Sequence, residues 1–336
     1  MMKSITFATK LSILLKRGYN LKQRFALWVE EYLFFPNLFQ KLLSVCLLPL
    51  TLIYTLVVIF KRTFAKPLHF DVPIISIGNL VVGGSGKTPM TIFLAKDKPN
   101  VGVILRGYGR DSQGLYVVSC KGKIAEDIQT SGDEAMLLAL SLPNATVIVS
   151  ENRIEAIEKA KALGCKLIFL DDGFSKYNIA KFDILLRPKI EPTNVFCLPS
   201  GGYREPKMMY ATADLVLQEG IDFQRLVTYK HNDLVVSVLP TELILLTGIS
   251  KPKRLLEFLP NTVKLIAFED HHRFTQEEIR VIQNEYPKYA IITTPKDMVK
   301  LEQFHLENLY LMDLELHLSE TVDLIPLNNY IEAYVK

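Results

Sequence analysis

Pro73-Ile74-Ile75-Ser76-Ile77 runs into Gly78-Asn79-Leu80-Val81-Val82 and then into Gly83-Gly84-Ser85-Gly86-Lys87-Thr88-Pro89. A short apolar run, a glycine-rich turn and a helical stretch over 89–96 make the strand–loop–helix unit that cradles phosphate. Glycines let the backbone amides turn inward around phosphate oxygens, and the helix that follows presents its positive end to the same anion. Lys87 is then placed for the β- and γ-phosphates of a nucleoside triphosphate and Thr88 for Mg²⁺. The usual spacing asks for glycine where the chain has Val81, so Gly83 and Gly84 must supply the turn. The competing reading is an ordinary glycine-rich strand-to-helix loop.

Outward from the loop, strand-like apolar runs at 101–105, 145–149, 166–170 and 182–186 alternate with helical stretches at 133–140 and 153–163. Such alternation predicts a parallel sheet covered by helices. A less regular stretch around Leu198-Pro199-Ser200-Gly201-Gly202 follows. Runs at 226–229 and 234–238 then flank a Lys-His-Asn-Asp turn, which predicts a two-stranded ribbon and a candidate hinge. From 243 the alternation resumes, with strands expected at 243–247, 263–268, 290–293 and 309–312 and helices at 253–259 and 276–286. The expected units are a P-loop kinase domain over 70–222, a β-ribbon linker over 223–239 and a second α/β domain over 240–336.

The chain has 336 residues, is 49% apolar and carries a net charge of +3. That charge is uneven: residues 1–71 hold ten Lys/Arg against three Asp/Glu, a net of +7, which leaves −4 for the rest. Residues 42–60, LLSVCLLPLTLIYTLVVIF, carry no charge and are long enough to reach across a hydrocarbon core. Lys41 stands before the run and Lys61, Arg62 and Lys66 after it. The expectation is a basic amphipathic segment over 1–41 and a membrane helix over 42–62, spanning or dipping into the bilayer. The charge after the run puts the body on the cytoplasmic face. Leu21, Arg24, Phe25, Trp28, Val29, Tyr32 and Leu33 form a stripe at helical spacing that suits an interface. A basic head also favours an anionic membrane surface. The alternative is a helical hairpin packed on the body. Cys46, Cys120, Cys165 and Cys197 are isolated and lack the spacing of a zinc or redox motif, which fits a reduced compartment.

Asp171-Asp172-Gly173-Phe174 ends an apolar run. Beside a phosphate loop, an acidic residue at a strand end positions Mg²⁺. By itself the sequence also reads as an Asp-Gly turn. Asp133-Glu134 opens a helix, where acidic residues are favoured for capping alone. Asp270-His271-His272 follows a strand of the second unit. From the residues alone a surface histidine pair explains it equally well, although an Asp–His couple suits proton acceptance from an alcohol.

Taken in series, these motifs resemble the tetraacyldisaccharide 4′-kinases of lipid A biosynthesis. The resemblance rests on Gly78-Asn79-Leu80, the phosphate loop with Pro89, Arg106-Gly107-Tyr108, Gly132-Asp133-Glu134 and Glu151-Asn152-Arg153. Asp171-Asp172-Gly173-Phe174, Leu198-Pro199, Arg204-Glu205-Pro206, Asp270-His271-His272 and Thr293-Thr294-Pro295-Lys296-Asp297 continue it. It covers nearly all of residues 42–312 and includes the Val81 departure. It implies two α/β/α domains with mainly parallel sheets, the first P-loop NTPase-like, N-terminal membrane-associated helices and a β-ribbon hinge. It implies ATP and Mg²⁺ as cofactors, and a tetraacylated disaccharide 1-phosphate as lipid acceptor at the inner membrane. Asp133 is implied as catalytic base with His271 as its partner and Lys87 as a catalytic phosphate ligand. Gly83, Gly84, Ser85, Gly86, Lys87 and Thr88 are implied to bind nucleotide. Thr88, Asp171, Asp172 and Glu205 would surround the metal, and Arg106, Arg153 and Asn152 would contact substrate or phosphate. No nucleic acid and no obligate protein partner is expected. The competing classes are a membrane-associated P-loop ATPase and a GTPase switch. The latter needs an Asn-Lys-x-Asp reader, which Thr294-Pro295-Lys296-Asp297 does not provide.

Overall fold

Three helices lead into the body: α1 (Leu21–Phe34), α2 (Leu38–Cys46) and α3 (Leu48–Thr63). The structure, a computed structural model, describes residues 21–249 and 252–334, so the first half of the expected basic segment lies outside the described residues. The helix expected over 42–62 is broken. α2 and α3 meet at a 59° bend, and among the described residues no single helix is long and apolar enough to cross a membrane, although the bent pair passes on length and composition. The reason is Pro49, which sits in the first turn of α3. Proline lacks the N–H that a through-running helix would use and its ring crowds the preceding turn.

The first sheet has eight strands in the order β4-β3-β5-β2-β6-β1-β7-β8. They are β1 (Ile74–Gly78), β2 (Val101–Leu105), β3 (Tyr116–Cys120), β4 (Lys123–Ile124), β5 (Thr146–Val149), β6 (Leu167–Asp171), β7 (Phe182–Arg187) and β8 (Leu215–Gln218). From β5 to β8 every neighbour is parallel, while β3 and β4 close one edge antiparallel. β1, β2, β5 and β6 are buried throughout, as continuous apolar strands covered on both faces must be. Helices α4 (Lys87–Ala95), α5 (Ile128–Ser131), α6 (Asp133–Ser141) and α7 (Arg153–Ala162) follow β1, β4 and β5.

The second sheet runs β10-β9-β14-β13-β11-β12. The parallel strands are β11 (Leu243–Thr247), β12 (Lys264–Ala267), β13 (Ala290–Thr293) and β14 (Leu309–Leu318). The ribbon, β9 (Phe223–His231) and β10 (Leu234–Val236), is antiparallel and joins the sheet along the whole of β14, from Phe223↔Leu318 to His231↔Tyr310. Helices α8 (Gln276–Glu285), α9 (Pro295–Leu301) and α10 (Ile325–Glu332) complete the chain. Residues 253–259, expected as an α-helix, instead lie almost wholly within a 3₁₀ helix, Pro252–Phe258.

Phe223, Leu316 and Leu327 are buried in the same core as Met90, Leu94 and Leu186 of the first unit. The start of β9, the end of β14 and α10 therefore pack on the first sheet. This mount fixes the second sheet against the C-terminal ends of the first sheet's strands.

Candidate active site

In an open parallel sheet the loops at the carboxyl ends of the strands form the crevice where ligands bind. Here β1 ends in the phosphate loop, β2 in Arg106-Gly107-Tyr108, β5 in Ser150-Glu151-Asn152-Arg153 and β6 in Asp171-Asp172. From the second sheet, β12 delivers Asp270-His271-His272 and β13 delivers Thr294 to Asp297. The larger hollow elsewhere, about 450 Å³ around Glu242, Lys288 and Asn308, lies at the amino ends of β11, β13 and β14, away from these groups.

The phosphate loop closes on Gly86, which caps α4 at φ +85°, a conformation that glycine adopts freely. Because Ile77 pairs with Asp171 in the β1–β6 register, Thr88 at the start of α4 meets that carboxylate: Thr88 Oγ1 donates to Asp171 Oδ2 at 2.8 Å. Burial pushes Asp171 up to about 7, and the nearby charge of Glu134 adds to this, while Lys87 and the Thr88 hydroxyl oppose it. Its Oδ1 is buried without a hydrogen-bond partner. A buried carboxylate with an open oxygen, next to a threonine hydroxyl, is the donor set a hard divalent cation takes.

Asp172 is held differently. Arg204 clasps it with Nη1 at 3.1 Å and Nη2 at 2.9 Å, and Lys87 Nζ stands 3.8 Å away. Burial works against the charge, but Lys87, Arg204 and Arg153 prevail and bring it down to about 2. Arg204 also binds the Asn79 backbone oxygen at 3.0 Å, and Lys87 Nζ donates to Asn79 Oδ1 at 3.2 Å. The turn after β6 is thereby fastened to the root of the phosphate loop, where Gly78 leaves no room for a side chain: a Cβ there would stand 2.5 Å from that of Phe174.

Across the crevice, His271 Nδ1 lies 2.9 and 3.2 Å from the two oxygens of Asp133, which is 5% exposed at the start of α6. Lys300 Nζ is 3.5 Å and Lys296 Nζ 3.8 Å from Asp133 Oδ2. Burial disfavours the Asp133 carboxylate, yet His271, Lys296 and Lys300 outweigh it and set it at about 2. The same bond raises His271 above its ordinary range despite burial and Lys296. Lys296 Nζ also reaches Asp270 at 3.1 Å and Glu134 at 3.3 Å. A chain of charge thus runs from Asp171 through Glu134 and Lys296 to Asp133 and His271. A cavity of about 170 Å³ beside it is lined by Gly109, Gln129, Asp133, His271, Arg273 and Lys300, among others.

The remaining expected residues are placed less uniformly. Arg153 is buried beside the acidic turn, and burial lowers it to about 10 although Asp172 and Asp171 oppose the change. Arg106 is exposed, with its guanidinium 5.2 Å above the Tyr108 ring. Asn152 caps α7, its side chain accepting the Glu155 N–H at 3.4 Å. Glu205 does not stand with Thr88, Asp171 and Asp172. It is paired with Arg62 at 3.7 Å and bonded to Tyr177, so it belongs to the contact between α3 and the body. Among the described residues no group of three or more His, Cys, Asp or Glu side chains converges on one metal position. The residues that sequence reasoning left without a role are Glu134, Arg204, Lys296 and Lys300, and also Lys176, which burial lowers together with the nearby charges of Arg153 and Arg106. Glu134, Arg204 and Lys296 stand inside the motifs quoted above. Lys300, one turn after Lys296 on α9, gave no signal beyond spacing.

Comparison with known proteins gives the family. The family described as tetraacyldisaccharide-1-P 4′-kinase matches residues 43–327. A tetraacyldisaccharide 4′-kinase of Aliarcobacter butzleri is 65% identical over 314 residues, covering 94% of this chain and all of the relative. One from Helicobacter acinonychis is 45% identical, covering 91% and 96%. A crystal structure of LpxK from Aquifex aeolicus in complex with ATP superposes with a TM-score of 0.69 at 29% identity, over 88% of this chain and all of that one. With matches of this extent in sequence and in fold, the chain belongs to the tetraacyldisaccharide-1-P 4′-kinase family.

Proposed function

We propose that this chain transfers the γ-phosphate of ATP to the 4′-hydroxyl of a tetraacyldisaccharide 1-phosphate, a step of lipid A biosynthesis that gives lipid IVA. The observation that carries this reading is the Asp133–His271 contact set opposite the Lys87/Thr88–Asp171 pair. A triphosphate site faces a proton acceptor, and a cavity beside the acceptor leaves room for an alcohol. Phosphoryl transfer asks the protein mainly to position reactants and to stabilise charge. Lys87 and the loop amides bind the β- and γ-phosphates. Asp133, oriented by His271, accepts the hydroxyl proton; that proton leaves late in a loose transition state, so a weakly basic carboxylate suffices. Arg153 and Arg106 face the anionic side of the site. Thr88 and Asp171 are the groups that fit Mg²⁺, which when bound neutralises charge between the β- and γ-phosphates. Incubation with γ-labelled ATP and the tetraacylated disaccharide 1-phosphate, followed by chromatography of the lipid, tests the assignment. Label is expected at the 4′ position; ATP hydrolysis with unlabelled lipid would reject it in favour of an ATPase. Lys87→Ala should lower transfer by about a hundredfold, in the range of one lost transition-state contact.

We further infer attachment to the cytoplasmic face of the inner membrane. α3 is inverted relative to a soluble helix. Thr51 and Tyr54 face the body, bonding Ser200 Oγ at 2.7 Å and the Arg204 backbone oxygen at 2.7 Å. Leu52, Ile53, Leu56, Val57 and Phe60 face out, between 46% and 62% exposed. On α1 and α2, Phe25, Leu38, Phe39, Leu42 and Val45 extend the surface. A contiguous apolar face of this kind marks a lipid contact. Replacing both Leu52 and Leu56 with Glu should shift the protein from the floating vesicle fraction to the bottom fraction in flotation on anionic liposomes. Transfer to a detergent-dispersed acceptor should be retained. Undiminished flotation would place the lipid contact elsewhere.

A further inference from the structure

The second sheet contributes a cation to the phosphate loop that neither motif spacing nor the charge network above includes. Arg225 lies near the start of β9, paired with Leu316 of β14. Its guanidinium rests on Gly86: a Cβ built on that glycine would stand 3.1 Å from Arg225 Nη2 and 3.5 Å from Cζ. The mount is rigid. Phe223, two residues earlier, is fully buried in the core that also holds Met90 and Leu94 of α4. The turn before it is locked by Gln218 N–H to Asp222 at 2.7 Å and Gly220 N–H to the Phe223 oxygen at 2.7 Å. Glu219, in that turn, clasps Arg225, with Nε 3.0 Å from Oε1 and Nη2 3.3 Å from Oε2.

Position in the sheet says which part of a nucleotide Arg225 would meet. The order β6-β1-β7-β8 puts Asp171 on one side of the loop and the β7–β8 ends on the other. Lys87, bonded to Asn79 and near Asp172, belongs with Asp171 at the γ-phosphate end. Arg225 enters from the β8 side, at the glycine that opens α4. A triphosphate lying along the loop with its γ-phosphate toward Asp171 directs its α-phosphate toward Arg225. A guanidinium also offers the planar pair of donors that phosphate oxygens accept best.

We propose that Arg225 binds the α-phosphate side of the nucleotide, so that a strand of the second sheet completes the triphosphate site of the first. This rests on the kinase reading of the same site but is separable from it, because binding is measured without acceptor. Calorimetric titration of the full-length protein with Mg²⁺-ATP and Mg²⁺-ADP should give dissociation constants about tenfold higher in Arg225→Ala and Arg225→Gln, the loss expected for one charge-assisted contact. Arg225→Lys, which keeps the charge but not the fork, should fall between. In transfer assays KM for ATP should rise by the same factor, with kcat and KM for the lipid near wild type. The melting temperature without ligand should be unchanged, while its rise on adding ATP should shrink. Wild-type nucleotide affinity in Arg225→Ala overturns the proposal. A lowered unliganded melting temperature with unaltered affinity in Arg225→Lys also overturns it and makes the residue a strut for the turn. A wild-type protein that binds ATP but labels no lipid would reject the kinase reading and leave the Arg225 titrations valid.

Discussion

Asp133→Asn should reduce phosphoryl transfer about a thousandfold while leaving the affinity for ATP near wild type, within the range for losing a positioned general base. The substitution keeps volume and leaves an oxygen to accept from His271 Nδ1, so the contact at 2.9 Å can persist without its charge. The two lysines are not stranded. Lys300 keeps Asp297 at 2.7 Å, and Lys296 keeps Asp270 and Glu134 at 3.1 and 3.3 Å. The fold is therefore expected to survive, and the phosphate loop is untouched. His271→Ala should cost less, because it removes the orienting partner and leaves the carboxylate. Single-turnover transfer separates this from a binding defect. A variant that transfers at even a tenth of the wild-type rate would show that Asp133 is not the proton acceptor and that its buried charge serves to hold His271 and the lysines in place.

What the sequence revealed of this site follows from which interactions are local. The phosphate loop and the Asp171-Asp172 turn were legible because each ends a continuous apolar strand, and burial on both faces writes that pattern directly into the chain. The break at Leu47 was not, because an uncharged run reads as one helix until the first-turn proline is weighed against the capping box that starts α2 at Asn37. The strands β4 and β8 lie at the sheet edges and β3 lies next to one, where half-buried or exposed residues dilute the apolar signal. α10 owes its position to Leu327 in the first core, a contact across most of the chain that no local period encodes. The same holds for charges. Arg204 meets Asp172 across 32 residues and Lys300 meets Asp133 across 167, so the motif that holds Arg204 does not name its partner and Lys300 reads in sequence as an ordinary surface cation. His271 is the intermediate case: the motif located it, and only the fold separated it from a surface pair.

Asp171→Asn should stabilise the unliganded protein and nearly abolish its activity, and the two effects have one cause. A carboxylate whose pKa is raised on folding, here to about 7, is charged more cheaply in the unfolded chain. The sign follows from proton counts. Between the ordinary aspartate pKa of about 3.9 and about 7, the folded protein holds a proton that the unfolded chain has released. Stability attributable to this group therefore falls as pH rises through that window and stays low above it. An amide in its place removes the cost, so the melting temperature of Asp171→Asn should exceed wild type at pH 8 and converge on it near pH 4. Mg²⁺ reverses the balance, because the ion takes the charge that burial penalises. Wild type should gain affinity for Mg²⁺-ATP as pH rises toward 7, since a proton competes for the same oxygen, whereas Asp171→Asn should show a flat profile. Transfer by the variant should fall about a thousandfold, the scale of several kcal/mol of lost charge stabilisation. An unliganded variant less stable than wild type at pH 8 would mean that the Thr88 bond, and not burial, dominates at Asp171. The open oxygen would then lose its meaning as a metal ligand, because the site would be built to hold the carboxylate charged on its own.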